Sequence, residues 1–109
     1  MKNARYTREQ LAHIREQALV FQCACPAQVS FLISELLALY RYQEKCLTRN
    51  DVDSRVHQAI ASAALEIYPR MEQCLTEVLE LEGWDMDTLT MPDSLKKAML
   101  KDVDNDEPL

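Results

Sequence analysis

The sequence predicts an all-α protein, an antiparallel bundle of three main helices followed by a short C-terminal helix. Two observations support this prediction. Apolar residues recur at steps of three and four along most of the chain, which is the period of a helix with one buried side. The chain also contains one glycine in 109 residues. Globular proteins average ~7% glycine, so folds that need many tight turns are disfavoured.

The length of the chain indicates one domain. A chain of 109 residues is long enough for one hydrophobic core and too short for two stable ones. We expect residues 1–101 to form this helical bundle domain. Residues 102–109 are acidic and offer almost no side chain to a core, so we expect them to form a flexible tail.

Helix one is predicted to begin after Thr7 and to end near Gln22. Thr7 and Gln10 have the spacing of a capping box, in which each of the two side chains accepts a hydrogen bond from the backbone N–H of the other residue. The apolar residues that follow share one side of a helix; they are Leu11, Ile14, Ala18 and Phe21.

Helix two is predicted to begin at Pro26, because the N–H group that proline lacks has no partner at the first position of a helix, and to end near Thr48. Its inward side is predicted to consist of two adjacent rows. The first row is Val29, Leu32, Leu36, Leu39, Gln43 and Cys46, and the second is Ile33, Leu37, Tyr40 and Leu47. Two short neighbouring helices would not cover so wide an apolar surface, so we expect the protein to form a homodimer.

Helix three is predicted to follow a turn at residues 48–53 and to end near Glu82, where Gly83 suits the left-handed residue that follows many helices. Pro69 lies inside this segment and is predicted to kink the helix or to divide it. The inward row is predicted to be Val56, Ile60, Ala63, Ala64, Ile67, Met71, Cys74, Val78 and Leu81. A connector over residues 84–91 and a short fourth helix over residues 94–101 complete the prediction.

The distribution of charge argues against nucleic acid as a partner. The net charge is −6, and residues 1–50 hold seven Lys and Arg against four Asp and Glu, whereas residues 51–109 hold five against fourteen. An acidic chain lacks the basic surface that supplies most of the affinity for DNA or RNA. The basic first half and the acidic second half of the chain favour packing of the two halves on each other, or a basic partner protein that binds the acidic half.

The expected location is the cytoplasm. No stretch approaches the ~18 consecutive apolar residues that cross a membrane, and the first 20 residues do not resemble a secretion signal. We therefore expect no membrane partner, and we expect the four cysteines to be reduced.

Three of the cysteines are predicted to gather at one end of the bundle. If helices two and three are antiparallel, residue i faces about residue 101 − i, which places Cys25 and Cys74 ~3 Å apart along the bundle axis. Cys23 is two residues from Cys25. The group Cys23, Cys25 and Cys74 suggests a site for zinc or another soft metal, or redox chemistry. The alternative is that these thiols only pack, because buried free cysteine is common and no fourth ligand is evident.

An enzymatic function is disfavoured. The same register places Cys46 near His57, and a thiol beside an imidazole is the starting point of a cysteine nucleophile. Such a site also needs an orienting third group, an oxyanion hole and a substrate cleft, and the sequence indicates none of these.

Aromatic residues are the candidates for partner contacts. Tyr40 and Tyr42 lie on different sides of helix two, so we expect at least one at the surface, where aromatic side chains are typical of interfaces. Trp84 either belongs to such a contact or covers the open end of the bundle. The sequence therefore favours a small helical protein–protein interaction or regulatory module that forms homo-oligomers. The alternative function is a thiol-based redox or metal-binding protein.

Overall fold

The predicted all-α class is confirmed by a computed structural model, which describes residues 3–21, 24–47 and 54–96. Within these ranges the chain is mostly helical and forms no β-strand. Helix α1 spans Arg8–Val20, α2 spans Ala24–Leu47 and α3 spans Ser54–Leu81, and residues 93–96 add one helical turn. Gln22, Cys23, the turn at 48–53, the end of the predicted fourth helix and the tail at 102–109 lie outside the described residues.

The start of α1 agrees with its sequence signal. The backbone N–H of Gln10 donates to Oγ1 of Thr7 at 3.0 Å, and the N–H of Thr7 donates to Oε1 of Gln10 at 2.8 Å. This reciprocal pair is the predicted capping box, and it satisfies two N–H groups that the helix itself cannot. The inward residues Leu11, Ile14 and Ala18 are buried as predicted.

The two prolines of α2 and α3 interrupt neither helix. Helix α2 begins at Ala24, two residues earlier than predicted, so that Pro26 and Cys25 both lie in its first turn. Proline is tolerated there because the first N–H groups of a helix have no partner within the helix. Helix α3 continues through Pro69, so the predicted division at Pro69 does not occur.

The inward side of α3 differs from the predicted row. Within the row taken as the core, only Ala64 is buried, and Val56, Ile67 and Leu81 are largely exposed. The residues that are buried lie about one position further along the helix; they are Ala61, Ala64, Tyr68, Glu72, Leu75 and Leu79. One position corresponds to a rotation of about 100°. The period was therefore predicted correctly and the orientation of the helix was wrong.

The first predicted row of α2 needs a similar correction. Leu32 and Leu39 are among the exposed large apolar residues, whereas Ile33, Gln43 and Cys46 are buried as predicted. Helix α2 packs against α1 and against α3. Leu32 and Leu39 nevertheless stay more than a third exposed.

A buried carboxylate explains the orientation of α3. Oε2 of Glu72 accepts the backbone N–H groups of Arg5 at 2.7 Å and Tyr6 at 3.1 Å. Nε of Arg5 and the hydroxyl of Tyr6 both reach Oγ1 of Thr76. These contacts hold the segment before α1 against α3, so the row containing Glu72 faces inward even though it is less apolar than the predicted row.

The end of α3 has the predicted left-handed glycine. Gly83 has φ of 78°, its N–H donates to the carbonyl of Glu80, and the N–H of Trp84 donates to the carbonyl of Leu79. These two bonds form a Schellman motif. The motif turns the chain back over the core.

Residues 84–91, which we call the cap loop, cover one end of the core. Trp84, Leu89 and Met91 are buried in the same cluster as the inward residues of the three helices. Oδ1 of Asp85 accepts the N–H groups of Asp87 and Thr88, and these bonds lower the pKa of Asp85. The N–H of Met91 donates to Oε1 of Gln17 at 3.2 Å and so fastens the loop to α1.

Candidate interaction surface

Helix α2 presents a row of exposed apolar side chains. Its members are Phe31, Leu32, Leu39 and Tyr42, all of which are more than a third exposed. Their positions differ by one, seven and three residues, so they share one side of the helix. Glu35 lies between them and is the charged residue of this side.

Helix α3 presents a second row, which is the one predicted from sequence to face the core. Val56, Ile67 and Leu81 are largely exposed, Ala63 is exposed, and the positions between them are half-buried. The whole row contains no charged residue; it is Val56, Ile60, Ala63, Ile67, Met71, Cys74, Val78 and Leu81. Its average spacing of about 3.5 residues is that of a helix seam that packs against another helix.

We call the two rows together the open face. Large apolar side chains scattered singly over a surface are normal, whereas continuous apolar patches are typical of interaction sites. The open face has seven large, substantially exposed apolar side chains on two helices that pack against each other; they are Phe31, Leu32, Leu39, Tyr42, Val56, Ile67 and Leu81. This arrangement is the best candidate for an interaction surface within the described residues.

The three aromatic candidates occupy different environments. Tyr42 is 60% exposed and belongs to the open face. Tyr40 is half-buried, and this burial together with the nearby carboxylate of Glu44 raises its pKa. Trp84 is only 4% exposed, and its indole N–H donates to Oε1 of Glu82 at 2.9 Å. Trp84 therefore covers the end of the core, which is the second of the two roles predicted for it.

The proposed group of three thiols is described in part. Cys25 is exposed and Cys74 is half-buried on the α3 row, while Cys23 lies outside the described residues. Within residues 3–21, 24–47 and 54–96, no three His, Cys, Asp or Glu side chains are arranged to hold a metal ion. The metal site at Cys23, Cys25 and Cys74 stays a prediction, because one of its members is not described.

The imidazole of His57 has a partner that was not anticipated. Its Nδ1 lies 2.6 Å from Oε1 of Gln43, at hydrogen-bond distance, and Gln43 itself is buried. The amide of Gln43 lies one turn before Cys46, and the predicted proximity of Cys46 and His57 stays a prediction.

The described cysteines should differ in reactivity because they differ in exposure. We expect iodoacetamide to modify Cys25 fastest, Cys74 more slowly and the buried Cys46 slowest in the native protein. A time course of alkylation followed by peptide mass spectrometry measures the three rates, and the unfolded protein in urea supplies the unprotected reference. Modification of Cys46 as fast as Cys25 in the native protein would contradict the packing of the end of α2.

No helix among the described residues has the length and apolar character needed to cross a membrane. Comparison with known protein families, curated proteins and solved structures gave no match to this chain.

Proposed function

We propose that this protein is a helical protein–protein interaction module that forms a homodimer, and that the open face is the surface through which two copies associate. The observation that carries this proposal is the α3 row, which has the spacing of a packed seam and no charged residue along its length, yet has exposed and half-buried members only. A surface of this kind is stable in water when another apolar surface covers it.

The proposal includes an antiparallel arrangement of α2 and α3. The contact between Gln43, near the end of α2, and His57, near the start of α3, supports this direction because the two residues flank the connection between the helices. In this arrangement Glu72 and Thr76, which hold the segment before α1, lie on one side of the helix pair. The helical positions of Leu39 and Ile67 then place the two exposed rows together on the other side.

A second copy is the occupant that fits this face best. Fully burying a large apolar side chain contributes ~1.5–3 kcal/mol, so completing the burial of one that is half-exposed contributes about 1 kcal/mol. Seven such side chains in each copy would together offset an association cost on the order of 4–15 kcal/mol. In a symmetric dimer both copies bury their apolar rows against each other, whereas with a polar partner only this chain would bury apolar side chains.

The proposal treats residues 1–101 as one domain that works in the cytoplasm. One buried cluster draws side chains from all three helices and from the cap loop, which supports a single domain. Cys25, Cys46 and Cys74 are free thiols, which suits a reducing compartment. The thiol-based alternative is not preferred, since no described contact between cysteines favours it.

Introduction of a charge on the open face provides the test. We expect the unmodified chain to sediment as a dimer with a dissociation constant on the order of micromolar. The Ile67→Glu variant should sediment as a monomer, with association weakened at least about 100-fold, because burying an unpaired charge in an interface is strongly unfavourable. Analytical ultracentrifugation from 1 to 100 μM, taken as roughly the range that brackets such a constant, measures both species.

Leu65 offers a matched control for this experiment. It is 46% exposed, as is Ile67, and it lies two positions away on the same helix, which places it on a different side of α3. Leu65→Glu should leave the dimer intact. A monomeric unmodified chain at the highest concentration would overturn the proposal, as would equal disruption by Leu65→Glu and Ile67→Glu.

A further inference from the structure

A groove with a concentration of positive charge lies between α1 and α2. Its volume is about 750 Å³, and it is separate from the open face because it lies on the flank of α2 that meets α1. The residues that matter here are Arg8 and Arg15 from α1, Arg41 from α2, and the apolar side chains of Ala12, Leu37 and Ala38. We call this feature the arginine groove.

The guanidinium groups of the arginine groove form no ion pair with the acidic side chains that the structure describes. Within the described residues no ion pair engages Arg8, Arg15 or Arg41, although Glu9 also lines the groove. The protein as a whole carries a formal charge of −6. Three cationic side chains left together on so acidic a chain form a local positive field that attracts groups of negative charge.

The shape of the groove suits a helix. Two packed helices leave a trough between them, and small side chains such as Ala12 and Ala38 allow another helix to approach closely. Leu37 supplies a larger apolar side chain to the same groove. Recognition of an amphipathic helix in this way combines an apolar line of contact with charged residues at the rims.

We propose that the arginine groove binds an acidic amphipathic helix of a partner protein. Carboxylates on the rims of that helix would accept hydrogen bonds from Arg8, Arg15 and Arg41, since guanidinium and carboxylate groups have matching planar geometry. The apolar side of the same helix would cover Ala12, Leu37 and Ala38. This second surface gives a role to Arg8, Arg15 and Arg41, for which the described residues supply no ion pair.

A designed peptide tests the proposal without knowledge of the natural partner. The probe is a fluorescein-labelled helical peptide of 18 residues, roughly five turns, with Leu and Ala on one side and Glu on the flanks. We expect saturable binding by fluorescence anisotropy at low salt, with a dissociation constant on the order of tens of micromolar. The same peptide with Gln in place of every Glu should bind at least about tenfold more weakly, and added salt should weaken the acidic probe.

Variants of the protein locate the binding. The double variant Arg15→Gln and Arg41→Gln should weaken the acidic probe at least about tenfold, because two charge-assisted hydrogen bonds are lost. Arg70→Gln removes one positive charge, against two in the double variant, from an exposed position of α3 and should change the dissociation constant less than about twofold. All three substituted arginines are partly or fully exposed, so circular dichroism should show an unchanged fold.

Several results would overturn the proposal. Absence of saturable binding by the unmodified protein would do so, and equal binding of the Gln peptide would show that the carboxylates are not recognised. Equal weakening by Arg70→Gln would show that the peptide responds to overall charge alone. The last such result is displacement of the probe by a random 20-base-pair duplex, roughly two helical turns. If the double variant loses this displacement, the groove binds phosphate instead.

Discussion

Replacing Leu75 by Ala is expected to lower the free energy of unfolding by about 3–5 kcal/mol, because it removes a fully enclosed side chain and leaves a cavity. Leu75 is 0% exposed and Leu81, on the same helix, is 80% exposed. Leu81→Ala is therefore expected to change the free energy of unfolding by less than about 0.5 kcal/mol. Urea denaturation followed by circular dichroism measures both values.

The comparison is sharpest in the Ile67→Glu background, where dimerisation does not add to the stability of either variant. The two substitutions delete the same atoms from the same helix, so a difference of several kcal/mol between them reports chiefly burial. Leu81 belongs to the row that periodicity assigns to the core. A loss at Leu81 that equals or exceeds the loss at Leu75 would support that assignment and contradict the observed orientation of α3.

Replacing Glu72 by Ala is expected to lower the free energy of unfolding by about 2–4 kcal/mol, because the N–H groups of Arg5 and Tyr6 lose their charged acceptor. Glu72 is 5% exposed, so water cannot readily replace the lost oxygen. Glu77→Ala removes an exposed carboxylate from the same helix and is expected to cost less than about 0.5 kcal/mol. Urea denaturation at neutral pH measures the difference.

Two further measurements separate the hydrogen bonds of Glu72 from its packing. Glu72→Gln keeps an acceptor oxygen and the length of the side chain, so it should recover part of the stability lost in Glu72→Ala. Amide hydrogen exchange at Arg5 and Tyr6 should accelerate in the Ala variant. Equal losses for Glu72→Ala and Glu77→Ala, with unchanged exchange at those amides, would show that the buried carboxylate does not hold the segment before α1.

The sequence predicts well the features that depend on neighbouring residues. The capping box at Thr7 and Gln10 and the left-handed Gly83 are interactions within one turn of chain, so residue type and spacing determine them. The bounds of the three helices follow from the same signals together with the apolar period. These elements agree with the structure to within about two residues.

The orientation of α3 could not be predicted from its own residues. The helix has one strongly apolar row and, beside it, a row containing Glu72 and Tyr68, and periodicity alone favours the more apolar row. The structure buries the other row because Glu72 accepts hydrogen bonds from the backbone N–H groups of Arg5 and Tyr6. These two residues lie 67 and 66 positions earlier in the chain. Nothing local to α3 reveals that these N–H groups will be available.

The same limitation applies to the interaction surface. Exposed apolar rows are evident only once the neighbours of each helix are known, so the open face was predicted as core at Leu32, Leu39 and the α3 row. The self-association predicted from the wide apolar surface of α2 stays a prediction. The arginine groove was not predicted, since Arg15 and Arg41 meet only when α1 packs on α2.

The bond between Tyr6 and Glu72 has a consequence for the kinetics of folding. It joins residues 66 positions apart. Forming it closes a long loop, and because this closure lowers the entropy of the chain, we expect the bond to form late in folding. Helices α2 and α3 are joined by only six residues and can meet earlier. We therefore expect the stability that Glu72 contributes to be gained after the folding barrier, where it slows unfolding and lengthens the lifetime of the folded protein more than it speeds its formation.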